Sequence, residues 1–170
     1  MVLAILGLAA ACGWSAGSRS SEADGARLVD NKEVQSVLVA TQRRASGDLP
    51  VGPASCPSGV TATEGTTLEC TVLVDGVAAP YVVTVHDVEA ARGLRYDVRP
   101  AKAILLVSKV VEAIKRSAPS PTATVDCGPE RVRVVDVGGT FDCTLARPDG
   151  TRTVRVLVET VDGAVSFRET

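Results

Sequence analysis

Apolar residues recur along this chain with two periods. Val34, Val37, Leu38 and Thr41 follow the i, i+3, i+4, i+7 spacing of an amphipathic helix, as do Val107, Val110, Val111 and Ile114. Elsewhere the pattern is strict alternation. Leu68, Cys70, Val72 and Val74 share one face of a strand, and Tyr81, Val83 and Val85 share a face of the next. The spacing predicts a helix over 31–45 and strands over 60–63, 67–74, 81–88 and 94–98. A second helix is predicted over 101–117, after Arg99-Pro100, because proline suits a helix start. Strands are predicted over 132–137, 140–146, 152–161 and 164–168, with Asp75-Gly76 and Asp149-Gly150 as hairpin turns.

The two halves of this pattern superpose. Val107 lies 73 positions after Val34, and the same offset lays Gly65-Thr66-Thr67-Leu68-Glu69-Cys70-Thr71 on Gly138-Gly139-Thr140-Phe141-Asp142-Cys143-Thr144. It also pairs Val83, Val85 and Val88 with Val156, Val158 and Val161, while Cys56 meets Cys127 at an offset of 71. One offset that carries a helix stripe, a cysteine block and a strand points to duplication. The expected fold is α+β, in two tandem repeats over 30–99 and 100–170. Each repeat is one helix followed by a four-stranded antiparallel meander with one disulfide, and the two pack together because no long linker separates them.

Composition narrows the function classes. The 170 residues are 45% apolar but only 3% aromatic, so the core is built from Val, Ala and Leu. With 18 basic and 20 acidic residues the net charge is −2, which lacks the basic patch a nucleic-acid partner needs to displace counterions.

The apolar run over 2–11 is too short to span a bilayer, and its length fits the core of a signal peptide over 1–11. Leu8-Ala9-Ala10-Ala11-Cys12 resembles the lipobox of bacterial lipoproteins. That resemblance implies cleavage before Cys12, acylation of its thiol and anchoring in a membrane, with 12–29 as a small, polar tether. The expected location is the outer face of the cytoplasmic membrane, with secretion as the alternative. No Lys or Arg precedes the apolar run, so the true start is expected upstream of Met1. The competing reading is a plain secretory signal that leaves Cys12 as a free thiol.

Four cysteines remain, and in an exported chain they read as a disulfide framework. A unit duplicated whole carries its own bond, which selects Cys56–Cys70 and Cys127–Cys143. No close cysteine pair suggests zinc or redox chemistry, and no metal or cofactor is expected. His86, the one histidine, falls on the strand face opposite Val83 and Val85, and its counterpart is Glu159. Glu69 and Asp142, each beside a cysteine, fall on the face opposite that cysteine, where a solvated or cross-strand-paired carboxylate is the default. His86 has no nucleophile near it in sequence, and Glu69 and Asp142, in different modules, would need a specific interface to cooperate, so the chain reads as no enzyme.

The series helix, Cys-Pro or Cys-Gly-Pro, Gly-Thr-Phe-Asp-Cys-Thr and Val-rich hairpin resembles a domain-of-unknown-function family common in actinobacterial secreted lipoproteins. The stretches that carry it are Cys56-Pro57 with Gly65–Thr71 and Cys127-Gly128-Pro129 with Gly139–Thr144. The resemblance implies a small extracytoplasmic α+β fold and no assigned activity. The expectation is a non-catalytic envelope module that binds an unidentified protein, glycan or lipid. A carrier of a lipid or other apolar ligand is the alternative, and an enzyme working through carboxylates or hydroxyls ranks behind both.

Overall fold

Helix α1 (Asn31–Ser46) begins where Asp30, in extended backbone, turns its carboxylate onto the amides of Lys32 and Glu33 at 2.9 and 3.3 Å. Those amides have no partner inside the helix, so the cap satisfies them. The helix ends at Gly47, whose φ of 60° lies in the left-handed region that glycine adopts without strain. The computed structural model describes residues 27–86, 93–117 and 122–170.

Four strands follow α1: β1 (Val51–Ser55), β2 (Thr67–Val74), β3 (Val77–His86) and β4 (Arg95–Pro100). They form one antiparallel sheet in the order β1-β2-β3-β4. The β2–β3 turn is Asp75-Gly76 with φ of 51° and 79°, the two positive values that a two-residue type I′ hairpin requires. The rest of the chain forms β5 (Ala103–Leu106), α2 (Val107–Ser117), β6 (Thr124–Asp126), β7 (Val132–Val135), β8 (Thr140–Arg147), β9 (Gly150–Val158) and β10 (Val165–Glu169). A second antiparallel sheet has the order β10-β9-β8-β6, and β5 pairs with β7 as a separate two-stranded ribbon. The protein is thus α+β, with two helices and antiparallel sheets.

Several elements depart from the expected pattern. Residues 60–63 contribute only a single bridge, Leu28 to Thr61, and Val51–Ser55 takes the sheet edge instead. Gly52 and Pro53 mask that strand in the sequence; proline is tolerated there because the strand is an edge whose register shifts between Val51 and Ala54. Strand β6, at three residues, is too short to display a period. The expected helix over 101–117 is a strand up to Leu106 and a helix only from Val107. Val88, at the end of the expected third strand, lies outside the described residues.

The early strand has a packing cause. Ala103 and Leu105 on one face of β5 join the core of the second half with Val107, Val110, Ile114, Leu145 and Val156. Ile104 and Leu106 on the other face pack with Val132 and Val134 against the core of the first half, around Leu38, Val72 and Val83. A strand buried on both faces reads as a continuous apolar run, which periodicity cannot tell from a helix. The ribbon is therefore a shared wall between two cores. Ala101 N–H donates to the Pro80 carbonyl at 2.9 Å and extends the β3–β4 ladder up to the start of the ribbon. Arg131 grips Asp75 of the β2–β3 turn with two nitrogens, Nε at 2.9 Å from Oδ2 and Nη2 against Oδ1, the fork geometry that suits a carboxylate.

Candidate functional site

The strand alternation that buries the cores also sets the chemistry each unit can offer. Cys70 and Cys143 point inward and are each 2% exposed. Cys56 follows β1 and Cys127 follows β6, so both disulfides tie a short edge strand to the neighbouring inner strand: Cys56–Cys70 with Cα atoms 4.4 Å apart, and Cys127–Cys143 at 4.2 Å. In the second unit Arg133 of β7 holds the backbone beside the bond. Its Nη2 donates to the Cys127 carbonyl at 2.7 Å and to Glu130 Oε2 at 2.9 Å. Its guanidinium also lies 4.8 Å from the centre of the Phe141 ring, within cation–π range.

The candidate titratable groups do not converge. His86, at the end of β3, hydrogen-bonds through Nδ1 to Glu64 Oε1 at 2.9 Å, with side chains 43% and 64% exposed. Glu69 faces solvent from β2, opposite Val82. Asp142 faces solvent from β8, directly opposite Arg155 of β9, which donates to it from Nε at 2.9 Å and Nη2 at 3.1 Å. Those bonds hold the Asp142 carboxyl below its ordinary range and raise Arg155. His86 thus meets Glu64 rather than Glu69 or Asp142. Among the described residues, no group of three or more His, Cys, Asp or Glu is placed to hold a metal ion. Cys12 lies outside the described residues.

The described residues also line concave sites. One, about 390 Å³, runs shallowly along α1 beside Pro53 and Ala54 of β1. A second, about 350 Å³, sits at the seam between Ala45 of α1, Leu106 of the ribbon, Lys109 and Ala113 of α2, and Gly163. A third, about 150 Å³, lies between α2 and the second sheet.

The first unit is the one that comparison with known families picks out. Residues 8–90 match DUF4333, a domain of unknown function. No curated protein and no solved structure matches the chain. The DUF4333 match takes in α1, β1, β2, β3 and the Cys56–Cys70 bond, and it begins ahead of Cys12. A domain of unknown function, expected over both halves, is thus matched over the first. Sequence reasoning missed the buried polar group inside the first unit: Tyr81 donates its hydroxyl to Gln42 Oε1, and Gln42 Nε2 donates to Ser46 Oγ at 2.7 Å. Gln42 and Ser46 continue the Val34, Leu38 spacing by fours, so position could have flagged them where hydropathy did not. Arg133 carried no signal of its own, because its partners Cys127 and Phe141 come from other strands.

Proposed function

We propose that this protein is a cell-envelope lipoprotein whose two cystine-stapled α+β units are tandem copies of one non-catalytic binding module. Cys12 carries the lipid and holds the units at the outer face of the cytoplasmic membrane. The observation that carries binding over catalysis is the dispersal of His86, Glu69 and Asp142. They stand on solvent-facing sides of two different sheets, each away from the other two. Duplication is supported by matching registers: Leu68 pairs with Val83 as Phe141 pairs with Val156, each pair facing its own core.

Two measurements test this reading. Detergent phase partition of the full chain expressed in a lipoprotein-processing host puts the wild type in the detergent phase and Cys12→Ser in the aqueous phase. Equal partition of the two would overturn the anchor. Affinity capture from envelope extracts recovers a protein, glycan or lipid above background, and recovery of none overturns the binding role. A carrier of an apolar ligand is the second reading, favoured by the seam cavity of about 350 Å³ and its Leu106 and Ala113 walls. Native mass spectrometry that finds no bound lipid would remove it.

A further inference from the structure

Opposite each inward-facing cysteine stands an inward-facing residue of the next strand. Tyr81 is opposite Cys70, and Val154 is opposite Cys143. In the first unit the Tyr81 ring, 4% exposed, fills the space between the sheet and α1, and its hydroxyl ends on Gln42. In the second unit valine has no ring to place there. A cavity of about 150 Å³ is left instead, lined by Ile114 and Ser117 of α2, Leu145, Val154, and Phe167 and Glu169 of β10. Ile114, Leu145 and Val154 are at most 2% exposed, so packing holds those walls in place. A space of about 150 Å³ is the size that takes up a benzene-sized guest.

Two polar groups complete the lining, and both can accept. Ser117 Oγ donates its own proton to the Ala113 carbonyl at 3.1 Å, which leaves the oxygen lone pairs available. The Glu169 carboxylate is held by Arg147 Nη1 at 3.5 Å and by Nη2. The walls suit an apolar ring, and the polar groups ask for one hydrogen-bond donor upon it.

We propose that this cavity is a binding site for a single phenolic ring, seated against Leu145, Val154 and Phe167 with its hydroxyl donating to Ser117 or Glu169. The first unit carries its own phenol in this place, as Tyr81, and is closed to another. The assignment deepens the binding-module reading by naming a ligand class. Its test uses neither the lipid anchor nor an envelope partner, so the two can fail separately.

The experiment is a titration of the full chain with p-cresol, followed through the methyl resonances of Ile114, Leu145 and Val154. Saturable shifts at these methyls, with none at Leu38 or Val72 of the first core, are expected. Toluene, which lacks the donor, is expected to bind about tenfold more weakly, the loss of one hydrogen bond. Val154→Tyr supplies the missing ring and abolishes the shifts. Ile114→Phe fills the cavity from the helix side and serves where Val154→Tyr does not give a native amide spectrum. Tyr81→Val opens the counterpart space and adds a second set of shifts, at Leu38 and Val72. N-acetyltyrosinamide binding as well as p-cresol assigns the ring to a tyrosyl side chain; p-cresol alone assigns it to a free phenol. The proposal is overturned if wild-type methyls do not shift with millimolar p-cresol, or if toluene binds equally well. Binding that survives a folded cavity-filling variant overturns it too.

Discussion

Leu145→Ala, a change confined to the second core, should lower the stability of the first unit as well. Leu145 is fully buried, and removing a buried leucine side chain to its β-carbon costs about 2–5 kcal/mol. The question is whether the first unit can outlast that loss, and the ribbon decides it. If β5 and β7 unfold with the second unit, the first core loses Val132, at 2% exposure, together with half-buried Ile104, Leu106 and Val134. A fully buried side chain of this kind contributes about 1.5–3 kcal/mol and a half-buried one about half that, so the first core forfeits about 4–7 kcal/mol. A domain of this size is stable by about 5–15 kcal/mol in total, so the two units should unfold together. Tyr81 and Tyr96, the only tyrosines, both lie in the first unit and report on it once Trp14 is replaced by Phe. In urea, tyrosine fluorescence and far-ultraviolet circular dichroism should give one coincident midpoint, which Leu145→Ala lowers by about 1–2.5 M for a slope near 2 kcal/mol/M. A tyrosine transition that stays at the wild-type midpoint while the dichroism splits into two steps would refute the shared wall.

Three further outcomes follow from the same contacts. Tyr81→Phe leaves the buried Gln42 Oε1 without a donor and should cost about 1–3 kcal/mol in urea unfolding. Pairing it with Gln42→Met should recover part of that cost, and strict additivity of the two changes would contradict the hydrogen bond. Replacing Cys127 and Cys143 together by Ala opens a loop of sequence separation 16 and should cost about 3 kcal/mol, read as a fall in melting temperature that reductant, which also opens Cys56–Cys70, exceeds in the wild type. Tyr96 is pushed up to about 12 by partial burial and by the Glu33 carboxylate, to which its hydroxyl donates at 3.3 Å, and Tyr81 is raised by burial. Both folded values exceed the unfolded one of 10.0, so their stabilising effect is complete below that value and is lost as pH rises through the folded pKa. Tyrosinate absorbance should stay low through pH 10.0 in the folded protein, and a tyrosine titrating at its ordinary value would count against the packing.

Strand parity was legible from the residues alone. Leu68, Cys70, Val72 and Val74 are all buried, and Glu69 between them is exposed, as alternation requires. Parity also placed Cys143 inside and Asp142 outside, and the Asp75-Gly76 dipeptide marked its turn. From parity and the matching halves the two disulfide pairings followed. These are local properties, since successive side chains on a strand must point to opposite faces and a two-residue turn must accept positive φ.

What the residues could not disclose depends on neighbours distant in sequence. Ala103–Leu106 is a strand because β7 pairs with it and a core lies on each side, facts that no window around it contains. Val51–Ser55 is an edge strand because β2 offers a free side, despite its glycine and proline. Asp142 has its partner because the β8–β9 register sets Arg155 opposite it. Tyr81 closes one core and Val154 leaves its counterpart open, although both occupy the same place opposite a cystine. The sequence by itself determined which residues face inward and where the chain turns. Only the tertiary structure decided what fills the space they face, because that space is bounded by elements brought together from both halves of the chain.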